Sequence, residues 1–232
     1  IVRGFALLRR FGRGHVIGLV IVSPDCQSQG LGRRLMQHLL APLSDCKLLL
    51  HATPAGRPLY EKLGFVRHGG ISQHQGLVVP PAPSALTQGW QLRACRDGDL
   101  PRLQALDARA CGMPRPQLMA DLLGAAQSAV VLTQSEIVRG FALLRRFGRG
   151  HVIGPVVAPN RLGAQALIGH LAASNAGAFT RIDIHDNHGL SDWLLTQGLA
   201  CVDQTISMWR GLPPASTHND VQSFALVSQS LG

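Results

Sequence analysis

The stretch from Val16 to Leu35 reads VIGLVIVSPDCQSQGLGRRL. Its first seven residues are apolar apart from Gly18, a pattern that is typical of a buried strand. Pro24 ends this strand, and glycines follow at positions 30 and 32. Beyond them, one helical face is apolar, with Leu31, Leu35, Met36, Leu39 and Leu40. The stretch therefore predicts a strand, a glycine-containing turn and a helix.

The turn before this helix suits an anion. Backbone N–H groups at a helix start point outward with a positive dipole, and glycine allows a phosphate to approach closely. Arg33 and Arg34 add positive charge. A nucleotide P-loop is excluded because no Gly-Lys-Ser/Thr is present, and the dinucleotide fingerprint is excluded because its third glycine is missing.

A second motif follows at residues 51–65, HATPAGRPLYEKLGF. Pro58 suits the first turn of a short helix, and Gly64 suits its C-terminal end, with Phe65 folding back as an apolar cap. Tyr60, the only tyrosine of the chain, lies in this predicted helix.

Together the two motifs resemble those of the GNAT superfamily of N-acetyltransferases. Residues 27–32, QSQGLG, are similar to its Gln/Arg-x-x-Gly-x-Gly/Ala signature, and residues 59–65 to its Leu-Tyr-x-x-Leu-Gly-Phe ending. The resemblance covers residues 1–72 and, more loosely, 88–232. It implies an α/β (α+β) fold of two GNAT-like units, with mixed, mostly antiparallel sheets flanked by helices.

The resemblance also implies acetyl-CoA as co-substrate and a small-molecule or peptide amine as acceptor. It places the pyrophosphate at the turn and the acetyl carbonyl on the strand before it. The implied cofactor-binding residues are Ile21, Val22, Ser23, Gln27, Ser28, Gln29, Gly30, Leu31, Gly32 and Arg33. Tyr60 is the implied catalytic acid, since a phenol with a pKa of about 10 can protonate a leaving thiolate. The alternative is that Tyr60 only packs on its helix.

No general base stands out in the sequence. His15 and His51 could act directly or through water, although structural roles are the commoner use of such histidines. Cys26 is interpreted as a packing residue rather than a nucleophile. His185 and His188 lie in a polar stretch without cysteine partners, so we expect no metal.

An exact repeat in the sequence predicts the domain organisation. Residues 1–18 recur letter for letter at 137–154, and weaker similarity continues beyond them, so the chain holds two copies of one supersecondary unit. We predict a partial GNAT-like unit at 1–73, a proline-rich linker at 74–89 and a second, degenerate unit at 90–232.

The second copy lacks the chemistry of the first. At the positions of Gln27, Gly30, Gly32 and Tyr60 its sequence has Leu162, Gln165, Leu167 and Leu194. We therefore expect it to be non-catalytic, and we expect its closing strands at residues 208–211 and 224–227. The first copy has no counterpart of residues 90–136, which precede the repeat in the second copy. It could borrow a strand edge from the second copy or from another chain, as in a homo-oligomer.

Composition limits the function classes further. The formal net charge is +9, and no run of eighteen apolar residues predicts a membrane span. The arginine pairs are spread without aromatic interleaving, so a nucleic-acid partner is not expected. Five scattered cysteines favour a reducing cytoplasm over a disulfide framework. The start at Ile1, without Met, suggests that the chain begins inside something larger or is incomplete.

Two function classes follow from these patterns. The first is an N-acetyltransferase in which an amine attacks acetyl-CoA directly at the first copy's site. The alternative is a non-catalytic acyl-CoA-binding or interaction module left by truncation and degeneration. Turnover distinguishes them, because a binder protects acetyl-CoA without consuming it.

Overall fold

The computed structural model describes residues 2–12, 14–79, 86, 89–211 and 220–232. Its strands are β1 Gly4–Phe11, β2 Gly14–Val22, β3 Lys47–Ala52, β4 Val66–Leu77, β5 Trp90–Ala94, β6 Ala126–Gln134, β7 Ile137–Phe147, β8 Gly150–Ala158, β9 Phe179–His185, β10 Ala200–Arg210 and β11 Gln222–Ala225. Its helices are α1 Leu31–Leu40, α2 Arg57–Glu61, α3 Leu100–Cys111, α4 Pro116–Gly124, α5 Arg161–Ser174 and α6 Ser191–Thr196. None of the described helices is long and apolar enough to cross a membrane.

The chain divides into two compact units. Unit 1 takes the described residues of Ile1–Gly69, Thr205–Pro213 and Gln229–Gly232. Unit 2 takes those of Gly70–Gln204 and Pro214–Ser228. Each unit therefore contains segments that are distant in sequence.

The sheet of unit 1 runs in the order β1-β2-β3-β10. β1 is antiparallel to β2, β2 is parallel to β3, and the C-terminal part of β10 is antiparallel to β3. One face of the sheet packs on α1 and α2 around a buried core. That core contains Ile17, Met36, Leu40, Leu48, Leu50, Ala52, Tyr60, Phe65 and Met208.

A bulge in β2 opens this sheet. Phe5 pairs with Ile21 and Leu7 with Gly18, so β2 carries one residue more than β1 in this interval. Leu19, within the bulge, has a φ of 51°, which L-residues adopt only at a cost. The parallel pairing of β2 with β3 runs only as far as Ile17 and Leu50. Beyond these residues the two strands enclose an opening that we call the wedge of unit 1.

Unit 2 has the sheet order β4-β9-β11-β8-β7-β6-β5. β8 pairs with β9 in parallel at His151 and Val152, and β11 then pairs antiparallel with both strands. The largest buried cluster lies here, and α5 contributes Ala164, Leu167, Ile168, Leu171 and Ala172 to it. Both units thus have mixed, mostly antiparallel sheets with helices against them, and the predicted fold class is confirmed.

Strand exchange distinguishes the units from the contiguous domains that the sequence suggested. Residues 206–210 of β10 pair with 48–52 of β3 in unit 1, although they lie in the second half of the chain. Residues 71–77 of β4 pair with 179–185 of β9 in unit 2. The strand edge that we expected the first copy to borrow is therefore supplied by β10.

This exchange changes two expectations. Residues 208–210 do not close the second unit as expected, because their backbone pairs with β3 of unit 1. Residues 74–77, placed in the linker from the prolines nearby, lie in β4. The proline-rich residues 80–84 lie outside the described part of the chain. The prolines predicted a linker, but composition did not indicate that the strand before them, β4, pairs with β9.

Candidate functional site

The wedge of unit 1 exposes backbone groups of β2. Ser23 donates its N–H to the carbonyl of Arg3, on the β1 side. Because N–H groups alternate in direction along a strand, the N–H of Val22 points away from β1 and into the wedge. Of the three predicted strand residues, only Val22 directs its N–H into the opening. The N–H groups of Ile21 and Ser23 face β1.

The start of α1 lies beside this opening. Gly30 is its N-cap, in the left-handed region at φ 75°, where glycine carries no steric penalty. The first helical N–H bond is from Arg34 to the carbonyl of Gly30. The preceding N–H groups, those of Leu31, Gly32 and Arg33, lie in the turn whose donors have no helical carbonyl to bond.

A cavity of about 330 Å³ adjoins this helix start. It is lined by Arg3, Gly4, Val22, Leu31, Arg34 and Leu35. Two arginines and the start of α1 therefore line one cavity together with Val22 of β2, an arrangement that favours an anion.

Two residues of this cavity refine the sequence prediction. Arg34 lines it, whereas Arg33, which the sequence predicted as a cofactor-binding residue, does not. Arg3 was missed, although the hairpin between β1 and β2 gives a signal for it. Pairing of Gly4 with Val22 places Arg3 opposite Ser23 at the mouth of the wedge.

The loop between β2 and α1 is braced by its own side chains. Gln27 donates its Nε2 to the carbonyl of Val22 at 3.1 Å, and Gln29 donates its Nε2 to the carbonyl of Asp25 at 3.1 Å. Ser28 has a φ of 60° between them. These glutamines shape the turn, while the backbone of residues 31–33 faces the site.

Gly32 sets the space above the helix start. A Cβ added there would lie 3.6 Å from Leu59 and 3.8 Å from Val22, in ordinary contact. Any longer side chain at this position would occupy the space beside the wedge. The donors, the positive charge and the room beside Gly32 together fit a pyrophosphate followed by an extended thioester arm.

Tyr60 is held against the core on the helix side of the sheet. It is 9% exposed, and its ring makes an edge contact with Phe65 at 6.1 Å between centroids. Burial raises the pKa of its phenol above the ordinary value. Tyr60 therefore keeps its proton throughout the neutral range and is able to donate it.

The two candidate histidines lie on opposite faces of the unit 1 sheet. His15 pairs in register with Leu48 on the helix side and is buried, and its pKa is lowered by that burial and then by the charge of Arg10. His51 pairs with Ser207 on the other face, because its neighbours Leu50 and Ala52 face the helices.

Unit 2 has filled the corresponding opening. β11 pairs with Val156 to Ala158 of β8, and the N–H of Leu226 bonds to Asp183 of β9. A Cβ at Gly154, the repeat counterpart of Gly18, would meet the carbonyl of Leu226. A Cβ at Gly18 would likewise meet Ser230, so the units differ in strand pairing: β11 pairs with both β8 and β9, whereas among the described residues β2 and β3 have no strand between them.

The helix start of unit 2 is also engaged. The N-cap of α5 is Asn160, whose side chain accepts from the N–H of Gly163 at 3.0 Å. Since α5 begins directly after β8 and this cap, the counterpart of Gly30 is Asn160 and that of Gly32 is Leu162. The residue matches inferred from sequence were shifted, because the 3₁₀ turn Pro24–Cys26 and the loop after it have no equivalent before α5.

Leu194 is the counterpart of Tyr60, as the sequence predicted. The N–H of Phe65 bonds to the carbonyl of Tyr60, and that of Leu199 bonds to Leu194, both at 3.0 Å. Gly64 and Gly198 both have positive φ, at 84° and 79°. The two helix ends are alike, but unit 2 has no hydroxyl at this position.

His185 and His188 of unit 2 pack against aromatic rings. His188 lies on His185 and on Phe224, with ring centroids 5.9 and 4.3 Å apart, and burial lowers its pKa. Within the described ranges, no group of three or more His, Cys, Asp or Glu side chains is arranged for a metal ion.

Comparisons with known proteins agree with this geometry. Residues 103–223 match one family profile described as an acetyltransferase (GNAT) domain, and residues 1–81 match another. The chain belongs to the GNAT acetyltransferase family. It is 32% identical over 226 residues to the Bacillus subtilis (strain 168) protein YitH, an uncharacterized N-acetyltransferase, covering 96% of this chain and 78% of that one.

Solved structures show the same GNAT fold. A protein from Pyrococcus horikoshii has a TM-score of 0.74 at 19% identity, over 99% of this chain and 76% of that one. A tandem GNAT protein from the clavulanic acid biosynthesis pathway has a TM-score of 0.58 at 15% identity, over 89% and 78%. This chain is thus a tandem GNAT protein of the acyltransferase class, and the non-catalytic alternative is not favoured.

Proposed function

We propose that unit 1 transfers the acetyl group of acetyl-CoA to a primary amine by direct attack, and that unit 2 has no acetyl-CoA site of its own. The observation that carries the proposal is the contrast between the two wedges. In unit 1 a cavity lined by Val22, the start of α1 and two arginines adjoins the opening. In unit 2 it is filled by β11.

The candidate turn and the candidate strand have different roles in this proposal. The turn from Gln27 to Arg33 cradles the pyrophosphate through its backbone, with Arg3 and Arg34 adding charge. Val22 donates its N–H to the acetyl carbonyl, which polarises the carbonyl and stabilises the charge that develops on its oxygen. The direction of the Val22 N–H, away from β1, and the loop braced by Gln27 and Gln29 support these roles.

The chemical step balances with the groups present. The amine nitrogen attacks the carbonyl carbon, and the C–N bond forms as the C–S bond breaks. The leaving thiolate takes the proton of Tyr60, and the amine gives one proton to a base. Tyr60 then regains a proton from solvent. Its raised pKa favours the protonated form that this step requires.

Calorimetric titration with acetyl-CoA tests the proposal. We expect one site per chain, lost in Gly32→Glu, because the new carboxylate fills the space beside Val22 and repels phosphate. Leu162→Glu is the matched control at the same position of α5, where Leu162 is 60% exposed, and it should bind like the unaltered chain. Absence of binding to the unaltered chain, or equal loss in both variants, would refute the assignment.

A further inference from the structure

The cavity of unit 1 lies beside α1 rather than beyond its first turn. Three of its lining residues, Leu31, Arg34 and Leu35, are spaced three and four positions apart, so they share one face of α1. Its lining also includes Arg3 and Gly4, at the start of β1, and α1 packs against this strand. The cavity is therefore enclosed between α1 and β1.

The backbone donors of the site point in other directions. The N–H groups of Leu31, Gly32 and Arg33 point along the axis of α1, as free donors at a helix start do. The N–H of Val22 points away from β1 and into the wedge, because that of Ser23 bonds to the β1 side. A pyrophosphate at the helix start and a thioester arm in the wedge thus leave the cavity on the β1 side for another part of the ligand.

The cavity combines an apolar lining with positive charge. Val22, Leu31 and Leu35 are apolar, and Arg3 and Arg34 carry charge. Both arginines are exposed, and neither forms an ion pair with a carboxylate among the described residues. Arginine without a carboxylate partner favours phosphate, to which it donates two parallel hydrogen bonds. An apolar lining with few charged groups suits a flat organic ring.

The corresponding place in unit 2 is filled. Gly140 is the repeat counterpart of Gly4, and a Cβ added at Gly140 would lie 3.4 Å from Leu167 of α5, which is fully buried. For a Cβ added at Gly4, the three nearest atoms all belong to β2. In unit 2 the helix thus contacts the strand at this position, whereas unit 1 has a cavity.

We infer that this cavity binds the 3′-phosphoadenosine end of coenzyme A, and that Arg3 and Arg34 select the 3′-phosphate. The inference rests on the proposed function of unit 1. Coenzyme A extends in two directions from its pyrophosphate, with the thioester arm on one side and the adenosine 3′-phosphate on the other. Because the arm enters the wedge away from β1, the nucleotide end turns towards β1. The acyl donor is then a coenzyme A thioester rather than a thioester that ends at phosphopantetheine.

Calorimetric titrations with acetyl-CoA and with acetyl-dephospho-CoA, which lacks only the 3′-phosphate, test this inference at one fixed ionic strength. We expect the unaltered chain to bind acetyl-CoA about tenfold more tightly, because the 3′-phosphate forms charge-assisted hydrogen bonds with two exposed arginines. In the double variant Arg3→Leu/Arg34→Leu, the two Kd values should become equal. Binding of acetyl-dephospho-CoA by this variant also shows that it is folded.

The matched control is the double variant Arg9→Leu/Arg33→Leu. It alters one exposed arginine of β1 and one of α1, neither of which lines the cavity. Because it removes the same net charge from the same two elements, it should keep the preference for acetyl-CoA. Absence of a preference in the unaltered chain, a preference that survives Arg3→Leu/Arg34→Leu, or its loss in the control would overturn the inference. Failure of the unaltered chain to bind either ligand would instead refute the proposed function.

Discussion

Phe5 and Phe141 occupy the same position in two identical segments, yet Phe5 is 47% exposed and Phe141 is fully buried. Towards the other end of the repeat the order reverses: Phe11 is 7% exposed and Phe147 is 44% exposed, beside the guanidinium of Arg181. Identical residues in identical strands thus have opposite surroundings.

Neighbouring strands account for the difference. In unit 2, β7 pairs with both β6 and β8, and α3 packs near it. In unit 1, β1 is an edge strand of the described sheet and pairs with β2. The comparison teaches that local sequence determines the strand and its bulge, whereas the elements around it determine what is buried.

The largest expected effect is on stability, and it separates the two phenylalanines. Phe141→Ala should lower the free energy of unfolding by about 3–5 kcal/mol, because it leaves a cavity in a closed core. Phe5→Ala should cost about 1 kcal/mol or less, because half of its ring is already in water. Urea unfolding of both variants measures the two costs. Equal losses would show that Phe5 is covered in solution, for example by a second copy of the chain.

The next effect is on catalysis, and it compares Tyr60 with Leu194. Tyr60→Phe should lower kcat about 100-fold while the Kd of acetyl-CoA changes little, because only the proton donor is lost. Leu194→Met, a volume-conserving change at the matching helix position, should leave kcat unchanged. Since burial raises the pKa of Tyr60, loss of its proton should not lower the rate below about pH 10.

Stopped assays of CoA release at saturating acceptor give these rates. Full activity in Tyr60→Phe would assign the residue a packing role, as its contact with Phe65 would then suffice to explain its burial.

The local features of the site could be predicted from the sequence. The strand that ends before Pro24, the αL glycine at the start of α1 and the helix end at Gly64 all leave residue-level signals, because backbone conformation and capping depend on neighbours in sequence. The strand predicted for the first seven residues of the stretch from Val16 lies within β2.

Features that depend on distant partners were not predictable. Nothing in the sequence of residues 206–210 indicates that they pair with β3 rather than with the second copy's own strand. Likewise, no residue type in β11 indicates that this strand pairs between β8 and β9. Asn160 is a residue type that favours helix N-caps. Matching the two copies residue by residue missed its equivalence to Gly30, because the loop before α1 is longer than the loop before α5.

A smaller effect concerns the residues that precede the repeat in unit 2. Arg93 bonds Asp99 through two guanidinium nitrogens, at 2.7 and 2.8 Å, and Asp99 also accepts from the N–H of Arg96. The hydrogen bond from Arg93 lowers the pKa of Asp99 to about 2. Because the folded-state pKa lies below the unfolded value of about 3.9, the pair stabilises the fold above pH 4, and this stabilisation is lost as the pH falls towards 2.

Urea unfolding between pH 6 and pH 2.5 measures this contribution. Asp99→Asn should be less stable than the unaltered chain by about 1–2 kcal/mol at pH 6, and the two should converge near pH 2. A constant difference across the range would mean that the loss comes from packing rather than from the carboxylate charge.

The smallest effect concerns the two helix starts. Asn160→Ala removes the side chain that caps α5 and should lower stability by about 1 kcal/mol. The same change at Gly30 meets no neighbouring atom within 4 Å, but it places a Cβ on a residue at φ 75°. Gly30→Ala should therefore also cost about 1 kcal/mol.

Acetyl-CoA calorimetry distinguishes the two variants. Gly30→Ala alters the turn that faces the cavity and should weaken binding, whereas Asn160→Ala should not. If Asn160→Ala created a second acetyl-CoA site, the cap would be what prevents phosphate binding in unit 2; if it did not, β11 alone is enough to close that site.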